Sequence, residues 1–109
     1  MGAMPATQDA EAAFCAIASG TRRRILDALL RRERSVGELV RIAEVSQPAV
    51  SQHLKVLREA GLVRERREGR FRYYRLDARP LRQVAGWVRG YERFWNRRLA
   101  ALRRVLDES

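Results

Sequence analysis

The chain has very little of the two residue types that most often bind soft metal ions. Its 109 residues include one cysteine, Cys15, and one histidine, His53. These cannot form the usual tetrahedral zinc site, even one shared across a dimer. A single cysteine also excludes a disulfide within the chain. We therefore expect no metal site and no cofactor. Cys15 is expected to be a buried thiol, with oxidation across a dimer axis as the alternative.

Long apolar runs and catalytic groupings are also missing from the sequence. No run approaches the ~20 apolar residues that span a bilayer, and no signal peptide is present. No nucleophile, base and orienting group stand in a recognisable arrangement. These absences predict a cytoplasmic protein that is not an enzyme.

Lysine is nearly absent, whereas arginine is abundant. Lys55 is the only lysine, and the other 22 of the 23 basic residues are arginine. With 13 acidic residues the formal net charge is +10, which favours a polyanionic partner such as nucleic acid. Arginine also suits bidentate contacts to phosphate and guanine. A GC-rich genome, whose codons favour arginine whatever the function, explains the bias about equally well.

The length of the chain corresponds to a single domain with a small core. Residues 1–8 show no periodicity and are predicted to be a flexible N-terminus, in which Met1-Gly2-Ala3 before Met4 resembles a cloning remnant. Residues 9–109 are predicted to form the domain. A core of this size is often completed by a partner subunit.

The segment that follows Ser46 has the pattern of a helix that recognises DNA. Ser46 is a good N-cap and Pro48 suits the first turn of a helix over residues 47–60. Three apolar residues lie on one face: Val50, Leu54 and Leu57. The opposite face carries short hydrogen-bonding groups and one cation, which suit base edges: Gln47, Ser51, Gln52 and Lys55.

The neighbouring segments complete a winged helix-turn-helix pattern. Ser35 can cap a short amphipathic helix, Val36 to Ala43, and about three residues then connect it to the helix after Ser46. Gly61 provides a left-handed residue that ends the helix over residues 47–60. The run from Leu62 to Leu76, centred on Glu68-Gly69, is predicted to form a two-stranded hairpin. The fold class is therefore mainly α with a small β-hairpin.

Several motifs, in this order and at this spacing, resemble the ArsR/SmtB family of bacterial repressors. They are Thr21-Arg22-Arg23-Arg24-Ile25-Leu26, Ser35-Val36-Gly37-Glu38-Leu39, Ser46-Gln47-Pro48-Ala49-Val50-Ser51-Gln52-His53-Leu54, Ala60-Gly61-Leu62-Val63 and Gly69-Arg70-Phe71-Arg72-Tyr73-Tyr74-Arg75-Leu76. The similarity spans roughly residues 14–76, and Tyr91-Glu92-Arg93-Phe94-Trp95 resembles the metal-free, SdpR-like branch. The resemblance implies a homodimeric repressor. Metal-sensing members place ligands in the third and last helices, where this chain has no cysteine and no histidine.

The predicted hairpin, or wing, carries the densest charge. Residues 64–75 include six arginines and two glutamates, a local net charge of +4. We expect the wing to lie along DNA phosphates, with Arg67 and Arg70 near the tip reaching a minor groove and Arg72 beside them. The alternative is a solvated edge strand that its charges protect from aggregation.

Two more helices are predicted before the helix-turn-helix. The first runs from about Thr7 to Ala18, with an apolar face of Ala10, Phe14, Ile17 and Ala18. The second runs from Thr21 to Arg31, with Thr21 as its N-cap after Gly20. Its apolar face would consist of Ile25, Leu26, Leu29 and Leu30.

The last helix is predicted over residues 79–107, behind Asp77 as a cap and with Pro80 in its first turn. Apolar rows seven residues apart form a heptad seam, and aromatic residues extend onto other faces. We expect this helix and the first one to form a two-fold dimer interface. The predicted interface residues are Phe14, Leu81, Val84, Val88, Tyr91, Trp95, Leu99 and Leu102. Gly86 and Gly90 would permit close helix approach or mark a bend.

These features together predict a dimeric, sequence-specific transcriptional regulator, most simply a repressor, that binds an inverted-repeat operator in double-stranded DNA. The predicted DNA-binding residues are Ser46, Gln47, Ser51, Gln52, His53, Lys55, Arg67, Arg70 and Arg72. Two other classes stay open: an architectural protein that binds DNA without sequence preference, and a protein-interaction module. The sequence does not identify an effector.

Overall fold

The computed structural model describes residues 11–108. Within that range the helices are α1, helical over residues 11–16, α2 (Gly20–Arg31), α3 (Val36–Ala43), α4 (Gln47–Glu59) and α5 (Leu81–Glu108). The strands are β1 (Arg34–Ser35), β2 (Val63–Glu68) and β3 (Phe71–Leu76). The predicted class, mainly α with a winged helix-turn-helix, is confirmed. No described helix is both long and apolar enough to cross a membrane.

The core lies where α2, α3 and α4 meet beneath the start of the hairpin. Its largest fully buried side chains are Ile25, Leu39, Val50, Leu54, Leu57 and Leu62. The predicted inner face of α4 is therefore confirmed. The prediction for Leu30 is wrong, since it is 72% exposed and Ala28 is buried instead. Each helical residue turns about 100°, so a stripe centred on Ile25 and Leu29 includes Ala28, whereas Leu30 lies about 140° round the helix from Ile25.

The predicted N-terminal tail and the start of the first helix lie outside the described residues. Within them α1 ends at residue 16, two residues earlier than predicted, and a turn follows. Ala13 and Ala16 are fully buried and Phe14 is half-buried. The buried thiol predicted at position 15 is wrong, because burial of the two alanines turns Cys15 outward and leaves it exposed.

Side-chain oxygens cap three of the helices. The predicted cap of α2 is wrong, because α2 begins at Gly20 and Ser19 Oγ accepts the backbone N–H of Arg22 at 3.2 Å. Ser35 caps α3 as predicted, and Glu38 returns a hydrogen bond to the Ser35 backbone N–H, which completes a capping box. Ser46 Oγ accepts the N–H of Ala49 at 3.3 Å and caps α4 as predicted.

The hairpin follows directly from the end of α4. Gly61 has φ +76°, the left-handed conformation predicted for it, and the chain then enters β2. β2 and β3 pair antiparallel around a turn at Gly69 and Arg70, with φ +60° at Gly69. The third strand was not predicted. β1 pairs with β3 and gives the order β1-β3-β2, but its two residues are too short to show an alternating pattern.

Only the first turns of helix α5 pack against the rest of the chain. Asp77 accepts the backbone N–H of Arg79 at 3.1 Å, and the helix begins one residue after Pro80, two residues later than predicted. The rings of Phe14 and Trp87 are 5.5 Å apart and join α1 to α5. Beyond residue 90 every described residue of the 28-residue helix is exposed. The structured core therefore ends well before α5 does.

We predict that replacing Ser35 by alanine lowers the free energy of unfolding by about 1 kcal/mol, because the first turn of α3 loses its hydroxyl acceptor. Denaturant unfolding followed by far-ultraviolet circular dichroism, at one protein concentration, measures the change. Ser51→Ala is the matched control, since Ser51 lies exposed inside α4, where alanine is the better helix former. Equal effects of the two substitutions would contradict the capping role.

Candidate nucleic-acid interface

The outer face of α4 lies opposite the residues that anchor the helix. Val50, Leu54 and Leu57 are buried, so the residues on the opposite face of the helix point to solvent. The exposed polar residues are those predicted from the sequence: Ser46, Gln47, Ser51, Gln52 and Lys55. Among residues 11–108, no hydrogen bond or ion pair engages the side chains of Gln47, Ser51, Gln52 or Lys55. These groups are therefore available to a ligand.

A groove separates the outer face of α4 from the wing. Its volume is about 400 Å³. It is lined by Pro48, Ser51, Gln52, Lys55, Arg58, Arg72 and Tyr74. Three predicted residues of the helix, Ser51, Gln52 and Lys55, thus share a concave surface with one predicted arginine of the wing, Arg72.

A second hollow, of about 380 Å³, shares Arg72 with this groove. It brings Gln47 together with Arg70, Arg72 and Arg41, close to the N-terminus of α3. Backbone N–H groups and the helix dipole make that end of a helix attractive to anions. Guanidinium groups and a helix N-terminus therefore surround Gln47.

Glu65 in β2 joins α4 to the wing. Its carboxylate accepts hydrogen bonds from Arg67 at 3.0 Å, from the hydroxyl of Tyr74 at 3.1 Å and from Arg58 at 3.0 Å. The bond from Arg67, followed by that from Tyr74, holds the pKa of Glu65 below its usual value. Burial and the same carboxylate raise the pKa of Tyr74, which is 4% exposed. The orientation of the hairpin against α4 thus depends on a shared carboxylate.

Other arginines of the wing are engaged in ion pairs that stabilise the fold. Arg66 contacts Glu33 at 2.6 Å and Glu68 at 2.7 Å, and its guanidinium lies 4.7 Å from the centre of the Tyr73 ring. The Glu33 bond, more than any other contact, raises the pKa of Arg66 above its ordinary value. Arg64 contacts Asp77 at 3.1 Å. These guanidinium groups connect the wing to the body of the protein.

Three arginines of the wing differ from these. Arg70, at the turn, and Arg75, in β3, are exposed, and Arg72 is half-buried beside the groove. None of the three forms an ion pair with a carboxylate of the described chain. Arg67, predicted to act with Arg70 at the tip, has an exposed side chain but pairs with Glu65. The charges next to the outer face of α4 that form no ion pair within the described chain therefore belong to Arg70, Arg72 and Lys55.

The structure places His53 apart from the other predicted DNA-binding residues. It is half-buried, and its Nδ1 lies 3.2 Å from Nη1 of Arg22 on α2. A phosphate contact from this side chain stays a prediction.

The predicted dimerisation residues fall into two groups. Phe14, Leu81, Val84 and Val88 are half-buried within the chain. Tyr91, Trp95, Leu99 and Leu102 are 49%, 47%, 62% and 56% exposed. Trp87, Phe94, Val105 and Leu106 are exposed as well. An apolar surface of this extent on one helix is unusual for a protein without a partner.

Sequence reasoning missed three residues of the site: Arg41, Arg58 and Glu65. Arg58 follows Ser51 and Lys55 at helical spacing, and that periodicity could have identified it. Arg41 comes near Gln47 and Arg70 only through the packing of α3 against α4 and the wing. Glu65 looked like one of two charges in a basic strand, and only the fold reveals its three donors.

Comparisons with known proteins agree with this arrangement. A family model described as bacterial regulatory protein, arsR family, matches residues 19–65. The HTH-type transcriptional regulator Rv2034 of Mycobacterium tuberculosis is 45% identical over 95 residues, which cover 87% of this chain and 86% of that protein. The transcriptional repressor SdpR of Bacillus subtilis is 35% identical over 75 residues, which cover 69% of this chain and 83% of that repressor.

A solved structure shows the same fold. The ArsR-like transcriptional regulator from Rhodococcus sp. RHA1 superposes with a TM-score of 0.70 at 30% sequence identity, and the match covers 94% of each chain. The resemblance inferred from the sequence motifs is thereby confirmed, and the chain belongs to the ArsR family of bacterial transcriptional regulators.

Proposed function

We propose that the protein is a dimeric transcriptional repressor that binds a specific DNA operator with α4 in the major groove. One observation carries the proposal. Along α4, unpaired hydrogen-bonding side chains lie next to arginines of the wing that form no ion pair within the described chain. This combination suits base edges and phosphates at once. The target would be chromosomal DNA in the cytoplasm.

The two kinds of side chain have different roles in this proposal. Gln47, Ser51 and Gln52 contact base edges, since amides and hydroxyls form hydrogen bonds that distinguish base pairs in the major groove. Lys55 and the wing arginines, Arg70 and Arg72 foremost, contact phosphates and set the register of the protein on the duplex. Ser46, the exposed N-cap of α4, lies at the start of the same face of the helix.

The dimer follows from the exposed apolar surface of α5. Because neighbouring regions of the chain cover only the first turns of this helix, a second copy is the simplest partner. Two-fold symmetry then presents two copies of α4 to DNA, with half-sites about one helical turn, ~34–36 Å, apart. Bound across a promoter, such a dimer would exclude RNA polymerase.

We predict that Gln52→Ala and Arg70→Ala affect binding in different ways. Gln52→Ala should relax the preference at one base pair by ~1–3 kcal/mol, because one hydrogen-bonded base contact is lost. Arg70→Ala should weaken operator and random duplexes alike and reduce the salt slope by ~1, because a phosphate contact is lost. Fluorescence anisotropy with both duplexes over a range of salt concentrations measures these effects.

Arg97→Ala is the matched control for this pair. Arg97 lies on the polar side of α5 beside Glu92, Arg93 and Asn96, so the variant removes the same charge far from α4. It should leave both affinities nearly unchanged. Equal losses on operator and random DNA for Gln52→Ala would refute the assignment of Gln52 as a base-contacting residue.

We predict that Leu99→Glu converts the dimer into a monomer, since it puts a carboxylate into the apolar interface of α5. Leu99 is 62% exposed within one chain, so the substitution should not unfold the domain. Light scattering at micromolar concentration measures the mass. Ala100→Glu, one residue further on the polar side of the helix, should remain dimeric. A monomeric parent protein would overturn the proposed interface.

A further inference from the structure

Arg22, in the first turn of α2, connects two other helices through its guanidinium group. Its Nε donates to the carbonyl oxygen of Ala16 at 2.6 Å, and its Nη2 donates to that of Cys15 at 3.1 Å. Both carbonyls lie at the C-terminal end of α1, where backbone oxygens have no partner within the helix. The third nitrogen, Nη1, lies 3.2 Å from Nδ1 of His53 on α4.

The chemistry of this contact determines which nitrogen of the His53 ring carries the proton. A guanidinium group has only donors, so Nδ1 of His53 must be the acceptor and the ring proton must lie on Nε2. Burial, and next the charge of Arg22, lower the pKa of His53 below its ordinary value. Arg22 is the charged group that acts on the ring among the described residues. At neutral pH the ring is therefore uncharged and can accept the bond.

These contacts form a continuous path from α5 to the recognition helix. The ring of Trp87 on α5 packs against Phe14 on α1, the carbonyls after Phe14 bind Arg22, and Arg22 binds His53. His53 stands between Gln52, which is exposed, and Leu54, which is buried. A displacement of His53 therefore changes where the base-contacting face of α4 points.

We propose that Arg22 is a positioning residue that holds the recognition helix through His53 and ties it to α1 at the dimer-forming side of the protein. The inference rests on the proposed function and extends it. It also assigns His53 to an intramolecular bond rather than to a phosphate. Protonation of His53 removes the acceptor and places a second positive charge beside Arg22, so acid weakens operator binding.

The pH dependence of DNA binding distinguishes a bond between His53 and Arg22 from a contact between His53 and a phosphate. The folded-state pKa is lowered, so the contact is complete above pH ~6.5, the ordinary histidine value, and is lost as the pH falls through the folded-state pKa. His53 is the only histidine in the chain, which makes the titration simple to assign. If His53 instead contacted a phosphate, its protonation would strengthen binding to any DNA.

The test measures operator and random-duplex affinity from pH 7.5 to pH 5.5 by fluorescence anisotropy, for the parent protein and for His53→Asn. The asparagine oxygen takes the place of Nδ1 as an acceptor but does not titrate. We expect the operator affinity of the parent to fall relative to random DNA as the pH falls, and that of His53→Asn to stay level. A parent whose binding strengthens in acid, or does not differ from the variant, would overturn the inference.

A second pair of variants tests Arg22 directly at pH 7.5. Arg22→Met keeps the length of the side chain and removes its donors, and we expect operator affinity to fall about tenfold, as for loss of a charged hydrogen bond. Arg24→Met removes the same charge from an exposed arginine whose one hydrogen bond within residues 11–108 goes to Thr21 Oγ1, and it should have little effect. Equal effects of the two variants would contradict the positioning role. If the parent protein binds no operator at all, the proposed function itself fails.

Discussion

The burial of Val50, Leu54 and Leu57 is the constraint on which the proposed interface depends. Each of these side chains gains roughly 1.5–3 kcal/mol when it leaves water, and all three pack between α2, α3 and the hairpin. A shift of α4 by one residue would expose Leu54 and bury Lys55, at the cost of desolvating an ammonium group. The core therefore fixes the rotation of α4, and through it the direction in which Gln47, Ser51 and Gln52 point.

The arginines of the wing divide into two sets with different consequences. Arg64 forms an ion pair with Asp77, and Arg66 forms ion pairs with Glu33 and Glu68. A single exposed ion pair of this kind contributes at most about 1 kcal/mol to the stability of the fold. Their effect is geometric, since they hold the wing at a defined angle. Of the wing arginines that form no such pair, Arg70 and Arg72 lie beside α4. Positive charge also lies along α5, at Arg93 and Arg97 for example. The wing therefore adds unpaired cations directly beside the exposed polar face of α4.

Sequence reasoning predicted what local chemistry determines and missed what packing determines. Helical spacing and capping identified α3, α4 and their anchors, because those signals lie within one turn of the chain. The choice between Ser19 and Thr21 as a cap, and the exposure of Cys15 and Leu30, depend on how α1 and α2 rotate against the core. The pairing of β1 with β3, the three donors around Glu65 and the bond between Arg22 and His53 join residues distant in sequence, and no local pattern reports them.

Selection of bound duplexes from a randomised DNA library, at ~150 mM salt where non-specific phosphate binding is much weakened, tests the central claim most directly. The account predicts enrichment of an inverted repeat whose half-sites are about one helical turn apart. DNA retained without any enriched sequence would contradict sequence-specific recognition by α4 and favour an architectural protein. Absence of retained DNA would contradict DNA binding altogether and favour a protein-interaction module.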